Sequence, residues 1–138
     1  MAKIYRAGLI PYYIKDGTIH MYFMVPSNPE YGGSDPQIAK GKVETHEDSE
    51  AAAKREAKEE LGFFYTNAKS VEYVGNFLGR THVYVAEIKD KEMFGDPHFE
   101  TGETVWMTPE EFEQQGRTLH KPVVKAVVRF IKKQHKLK

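Results

Sequence analysis

Cysteine is absent from this chain, which excludes disulfide bonds, thiolate metal ligands and cysteine nucleophiles. The sequence also lacks any apolar run near the roughly 20 residues that a membrane-spanning helix needs. Its amino terminus, MAKIYRAGLIPYY, has no signal-peptide layout. We therefore expect a cytoplasmic protein with no membrane partner.

The 138 residues suffice for one domain with a proper core, and we expect residues 1–138 to form that domain. Opposite charges are unevenly placed: residues 44–60 carry seven acids and three bases, and residues 121–138 carry seven bases and no acid. A basic carboxyl-terminal segment can bind nucleic acid or phosphate. Helical spacing of its apolar residues favours the solvated face of a final helix instead. These residues are Val123, Val124, Val127, Val128 and Ile131.

Residues 48–61 predict a helix, because they contain no Gly, Pro or β-branched residue and are dominated by Ala, Glu and Lys. Asp48 or Ser49 can cap its start, and Gly62 stands where a left-handed terminator belongs. At helical spacing Glu56, Glu59 and Glu60 share one face.

Three crowded carboxylates repel each other unless a cation neutralises them. Hard divalent cations prefer oxygen ligands, and Mg²⁺ fits where substrate phosphates complete its shell. Arg55 can pair with Glu59 four residues on. The alternative is an ordinary solvated acidic face, which would leave the glycines and the arginine of this stretch unexplained.

The complete spacing is Gly41, five residues, Glu47, seven residues, then Arg55 to Phe63 in the order REAKEELGF. This pattern resembles the Nudix box, the signature of the Nudix (MutT-type) hydrolase family. Every polar and glycine position of that signature is met, including Gly62. Ala57 departs from it, because the family usually has a larger aliphatic residue there.

Around this stretch the sequence predicts strands, loops and two more helices. Asp16-Gly17 indicates a hairpin, and Thr108-Pro109-Glu110-Glu111 indicates a helix start. We expect an α/β sandwich with a mixed sheet between helices, the fold that the resemblance also implies. The predicted strands are 5–14, 19–25, 37–39, 70–78, 82–88 and 104–107, with long loops at 26–36 and 89–102 and a last helix at about 122–136.

The resemblance continues outside the box. RAGLI resembles the first strand of the family, and IAKGKVE, VYVAEIKD and VWM are similar to the asymmetrical diadenosine tetraphosphate hydrolases. Ala39 and Lys42 depart from that branch, which has proline and histidine at these positions. The resemblance implies hydrolysis of a phosphoanhydride with Mg²⁺ or Mn²⁺. It favours dinucleoside polyphosphates over nucleoside triphosphates, ADP-ribose, flavin adenine dinucleotide or an RNA 5′ end.

The same resemblance implies roles for particular residues. Glu56 and Glu60 are the expected main metal ligands, and Glu59 serves a further metal or holds the attacking water. The carbonyl of Lys40 and a late-loop carboxylate complete the set. That carboxylate is Glu100, six residues before Trp106, or else Glu103. The expected catalytic residues are Arg55, Glu56, Glu59 and Glu100.

For substrate binding, we expect Lys40 and Lys42 to meet phosphates and Tyr84 to stack on adenine, although a strand tyrosine is more often packing. The protein is expected as a monomer or homodimer. Two alternatives remain: a Nudix fold that senses a nucleotide without cutting it, and a structural domain with an acidic helix. Sensing modules usually lose box carboxylates, which this chain keeps.

Overall fold

Six strands form one mixed sheet in the computed structural model, which describes residues 5–137. The strands are β1 (Arg6–Lys15), β2 (Thr18–Pro26), β3 (Ala39–Lys42), β4 (Ala68–Phe77), β5 (Thr81–Ile88) and β6 (Thr101–Met107). Their order is β4-β5-β1-β2-β6, and β3 pairs with the first half of β1. Strands β1 and β5 are parallel, and the other pairs are antiparallel.

Three helices cover the two faces of this sheet. Helix α1 (Ser49–Leu61) buries Ala52, Ala53, Ala57 and Leu61 against β1 and β3. Helices α2 (Pro109–Gln115) and α3 (Lys121–His135) pack on the other face, where Phe112 and the valines of α3 meet side chains from β1, β2 and β5. The expected sandwich with a mixed sheet is confirmed. The apolar residues of the basic carboxyl-terminal segment are therefore spaced helically because they form the buried face of α3.

Several predicted boundaries differ from the observed ones. The short strand expected at 37–39 is wrong: Gln37 makes only an isolated bridge to Met24, and β3 begins at Ala39. Strand β6 begins at Thr101, so the expected loop at 89–102 is shorter. Long-range pairing with β2, and not local propensity, extends β6. Within residues 5–137, no helix is long and apolar enough to cross a membrane.

Both ends of α1 are fixed by hydrogen bonds. The Asp48 side chain accepts a hydrogen bond from the Ala51 amide at 2.8 Å, as an N-cap does. Gly62 ends the helix in the left-handed conformation with φ of 70°, and its carbonyl accepts from the Gly95 amide at 2.7 Å. These contacts set the rotation of α1 and hence the direction of its carboxylates.

Substituting Ala for Gly62 is expected to destabilise the fold by about 2–4 kcal/mol, because a left-handed Ala is strained and a Cβ would lie 1.9 Å from the Gly95 carbonyl oxygen. The matched control is Gly17→Ala. Gly17 has φ of 77°, and a Cβ there has nothing within 4 Å. Chemical denaturation measures both variants. Equal losses would show that the contact with Gly95 contributes nothing.

Candidate active site

Strand β3 brings Gly41 directly against the acidic face of α1. A Cβ on Gly41 would lie 1.8 Å from Oε2 of Glu56, so only glycine leaves room for the Glu56 carboxylate in this position. One residue earlier, the Lys40 amide donates a hydrogen bond to Oε1 of Glu60 at 3.2 Å. The spacing between the loop glycine and the helical carboxylates therefore has a steric reason.

A Gly41→Ala variant is expected to lose at least about tenfold in kcat, because displacing the Glu56 carboxylate misplaces a group on which the reaction depends. The fold should survive, since the displaced group is the end of a flexible side chain. Melting temperature and turnover are measured together. Unchanged turnover would show that the position of Glu56 does not matter.

Arg55 joins the acidic face to the loop before it. Its guanidinium donates two hydrogen bonds to Glu47, at 2.9 and 2.8 Å, one to Oε2 of Glu59 at 3.1 Å, and one to the Lys42 carbonyl at 2.9 Å. The expected pair with Glu59 is present as a single bond, and the bidentate partner is Glu47. Hydrogen bonding to Arg55 lowers the pKa of Glu47. Glu47 thus holds the arginine that holds Glu59.

Glu56 and Glu60 form a crowded acidic pair. Glu56 is 8% exposed, and burial raises the pKa of its carboxyl above the ordinary range. Burial, together with the charge of Glu56, raises the pKa of Glu60 to about 8. Arg55 reaches Glu56 only at 3.6 Å. The charged forms of this pair therefore need a further cation.

The donor set fits a divalent metal. Carboxylate oxygens are the ligands that Mg²⁺ prefers, and the Glu100 charge also raises the pKa of both Glu56 and Glu60, so three acids act on one region. As placed, no three His, Asp or Glu side chains among residues 5–137 converge on one metal position. Glu59 points to Arg55 instead. Glu56 and Glu60 are therefore the candidate metal ligands, with Glu100 lining the same cavity.

Of the two candidate loop acids, Glu100 lies at the site. It lines the cavity with Glu56 and Glu60. Glu103 is exposed on β6, where it pairs with Val25. The Glu100 carbonyl accepts from the Ser27 amide at 2.8 Å, which anchors the loop to the end of β2.

Cations line the same cavity. Lys40 is partly buried, and burial together with the charges of Arg6 and Arg117 lowers its pKa. Arg117 donates to Oε1 of Gln37 at 3.2 Å, and its amide donates to the Pro36 carbonyl. Three cations held this close are suited to bind phosphate.

Sequence reasoning missed Arg6 and Arg117. Arg6 begins β1, and Arg117 follows α2, so neither is near the box in sequence. Only the pairing of β1 with β3 and the return of the chain after α2 bring them to Lys40. No local motif marks either residue.

The two other residues expected to bind substrate, Lys42 and Tyr84, differ in exposure. Lys42 is exposed and lines the cavity, in keeping with a phosphate contact. Tyr84 is 7% exposed, packs in the core beneath α1, and shares a hydrogen bond between its hydroxyl and Ser49. Because so little of the ring is exposed, the structure does not support the expected stacking on adenine, which stays a prediction. A strand tyrosine facing α1 is packing here.

His120 is fully buried, and burial together with the charges of Lys40 and Arg117 lowers its pKa to about 3. Its Nδ1 accepts the Ile38 amide at 3.1 Å. This histidine, kept neutral at ordinary pH, supports the segment that leads into β3.

Acids and cations thus line one cavity of about 940 Å³ together. Such an arrangement can bind a chain of phosphates through a metal at the acids and through the cations. The residues that line it, besides those discussed, include Met24, Val43, Glu44, Thr45 and His46.

Comparisons with known proteins agree with the observed fold. Residues 20–127 match the family model described as NUDIX domain. Among curated proteins, no sequence matches the chain.

Solved structures share its fold. A C. elegans Ap4A hydrolase in a binary complex is 19% identical, with a TM-score of 0.73 over 94% of this chain and 98% of that chain. The M. smegmatis Nudix hydrolase RenU is 16% identical, with a TM-score of 0.73 over 92% and 86%. The NUDIX domain of Shewanella oneidensis NrtR, complexed with ADP ribose, is 12% identical, with a TM-score of 0.74 over 95% and 90%. At these identities the likeness shows the fold alone.

Proposed function

The chain belongs to the Nudix domain family, whose hydrolases act on nucleotide-linked pyrophosphate bonds, and we propose that it is a Mg²⁺-dependent hydrolase that prefers dinucleoside polyphosphates. One observation carries the proposal most directly. The carboxylates of buried Glu56 and half-buried Glu60 line a single cavity together with Lys40, Arg6 and Arg117. The acids suit a divalent cation and the bases suit the phosphates.

Glu56 and Glu60 would hold the metal, with Glu100 and the Lys40 carbonyl as further ligands. When bound, Mg²⁺ or Mn²⁺ makes water more acidic and offsets negative charge on phosphate oxygens. Glu59 is the candidate base, because its carboxylate is partly exposed and Arg55 orients it. Taking a proton at a positioned carboxylate contributes about 10²–10⁴-fold to such reactions.

Cations that line the cavity bind and orient the substrate. Arg117 is fixed by Gln37, and Lys40 by its place in β3. A phosphate chain held at several points has fewer unproductive orientations, which lowers the barrier to attack on one anhydride. Lys42, at the exposed end of β3, extends this row.

The preference for dinucleoside polyphosphates rests on sequence features and on charge. AKGKVE and VYVAEIKD resemble the diadenosine tetraphosphate hydrolases. A long phosphate bridge would use the four cations Arg6, Lys40, Lys42 and Arg117. Tyr84 no longer supports this preference. Nucleoside triphosphates, ADP-ribose, flavin adenine dinucleotide and RNA 5′ ends remain the alternatives.

A second candidate function is nucleotide sensing without cleavage. The fold likeness to the NrtR NUDIX domain, crystallised with ADP ribose, motivates it. Retention of Glu56, Glu59 and Glu60 together with Arg55 favours the hydrolase, since a sensor has no use for a base held beside a metal site.

Chromatographic separation and quantification of the nucleotide products test these functions. Purified protein is assayed with diadenosine tetraphosphate, dATP, ADP-ribose and triphosphorylated RNA, in Mg²⁺ and in EDTA. We expect turnover only with Mg²⁺, and the highest kcat/KM for diadenosine tetraphosphate, cut to ATP and AMP. Equal turnover in EDTA would exclude the metal role. A tenfold advantage for another substrate would exclude the proposed preference and leave the hydrolase in place.

A further inference from the structure

A second cavity, of about 620 Å³, adjoins the candidate active site. The two cavities share Arg6, Lys40 and Lys42 as a common wall. The described lining of the second cavity contains four cations and no acid. Its remaining residues are Leu78, Gly79, Arg80, Thr81 and Leu119. A ligand there needs no metal to offset carboxylates, unlike a ligand at α1.

Backbone pairing places the chain positions of three of these cations in a row, two by strand register and the third by a hydrogen bond to a turn. Arg6 pairs with Lys42 across the antiparallel contact of β1 and β3. On its other side, Arg6 pairs with Thr81, and its amide donates to the Arg80 carbonyl at 2.9 Å. Neighbouring strands are about 4.8 Å apart. The row therefore crosses the end of the sheet and leads away from the acidic helix.

Two exposed leucines line the same cavity as this row. Leu78 is 45% exposed and Leu119 is 51% exposed. Leu78 lies in the turn between β4 and β5 with φ of 54°, followed by Gly79 with φ of 84°. Such turns favour Asn or Gly at this position, and the left-handed conformation is disfavoured for Leu. The chain therefore presents an apolar side chain where turn chemistry favours a polar one.

We propose that the second cavity is a subsite for the distal nucleoside of a polyphosphate substrate. Arg6, Lys42 and Arg80 bind the outer phosphates, and Leu78 and Leu119 contact the base, since bases pack on apolar side chains. The proposal deepens the proposed function and rests on it for the identity of the substrate. The proposal explains why a further cation, Arg80, lies outside the cavity in which the anhydride would be cut.

Binding without turnover tests the subsite. Calorimetric titrations in EDTA use diadenosine tetraphosphate and inorganic tripolyphosphate, which carries phosphates and no base. Arg80→Ala should weaken both probes about tenfold, because both lose a charge-assisted contact. Leu78→Asn should weaken only the dinucleotide, by about fivefold or more, and should fold at least as stably as the wild type because Asn suits the turn.

Lys15→Ala is the matched control. Lys15 is an exposed cation at the opposite end of β1, so its loss changes the net charge equally and should change neither affinity. Affinities of Arg80→Ala equal to those of the wild type would overturn the phosphate role. Equal weakening of both probes by Leu78→Asn would overturn the base contact, as would absence of wild-type binding in EDTA for the whole subsite.

Failure of the subsite and failure of the proposed function give different results. Turnover of diadenosine tetraphosphate with unchanged affinities in both variants would remove the subsite alone. Absence of turnover for every substrate, with the expected affinity differences intact, would remove the hydrolase and leave a polyphosphate-binding site.

Discussion

Replacing Glu60 by Gln is expected to lower kcat at least about 100-fold, because the variant loses a carboxylate from the metal-binding pair and Gln is a poor ligand for Mg²⁺. The fold should survive. The Gln carbonyl oxygen can still accept the Lys40 amide that now donates to Oε1. Steady-state kinetics over a range of Mg²⁺ concentrations measures the loss.

The same variant is expected to be more stable than the wild type in metal-free buffer. Burial and the Glu56 charge raise the pKa of Glu60 to about 8 in the folded protein, from an ordinary 4.5. Between these values the folded state holds a proton that the unfolded state has lost, so wild-type stability falls as pH rises through this window. Gln carries no such penalty.

The advantage of Glu60→Gln should therefore be near zero at pH 4.5 and reach roughly 1–3 kcal/mol at pH 8. Denaturation at both pH values in EDTA measures it. Glu103→Gln is the matched control: Glu103 is exposed on β6, and its substitution should change neither turnover nor stability. Near wild-type kcat in Glu60→Gln would exclude Glu60 as a metal ligand.

Replacing Arg55 by Ala is expected to reduce both stability and rate. The variant removes two hydrogen bonds to Glu47, one to Glu59 and one to the Lys42 carbonyl. It leaves crowded carboxylates without a positive partner. We expect a loss of about 2–3 kcal/mol in unfolding free energy and of about 10–100-fold in kcat, as when a group that orients a ligand is lost.

The stability loss in Arg55→Ala should narrow at low pH. Arg55 lowers the pKa of Glu47 below 4.5 in the folded protein, so the contribution of this pair is complete above pH 4.5 and is lost as pH falls through the folded value. Denaturation from pH 7 to pH 3 checks the sign.

Two further substitutions separate charge from geometry at this position. Arg55→Lys keeps the charge and loses the planar fork, so we expect an intermediate loss. Lys54→Ala removes a neighbouring base whose only partner among the described ion pairs is Glu50, at 2.7 Å on the helix surface. The Lys54 ammonium also lies 3.9 Å from the centre of the Tyr65 ring, so the substitution should cost about 1 kcal/mol at most. Wild-type stability and kcat in Arg55→Ala would reduce Arg55 to an ordinary surface residue.

Local physics explains why so much of the box could be predicted. Helix α1, its Asp48 cap and its Gly62 terminator depend on residues within one or two turns. The common face of Glu56 and Glu60 follows from helical periodicity alone. Gly41 was marked by spacing, although its steric reason, the approach of Glu56, became visible only in the folded protein.

The sequence by itself therefore determined the acidic helix, its caps, the glycines and the charge that calls for a cation. Tertiary structure decided the rest, because it depends on contacts between residues far apart in the chain. Strand pairing brought Arg6 to Lys40 and Lys42, and the chain after α2 brought Arg117 there. Packing of α1 on β5 buried Tyr84. The late loop is anchored to Ser27, and Glu100 lines the cavity while Glu103 does not. No periodicity or local propensity encodes such contacts, since each depends on how the sheet and its helices assemble as a whole.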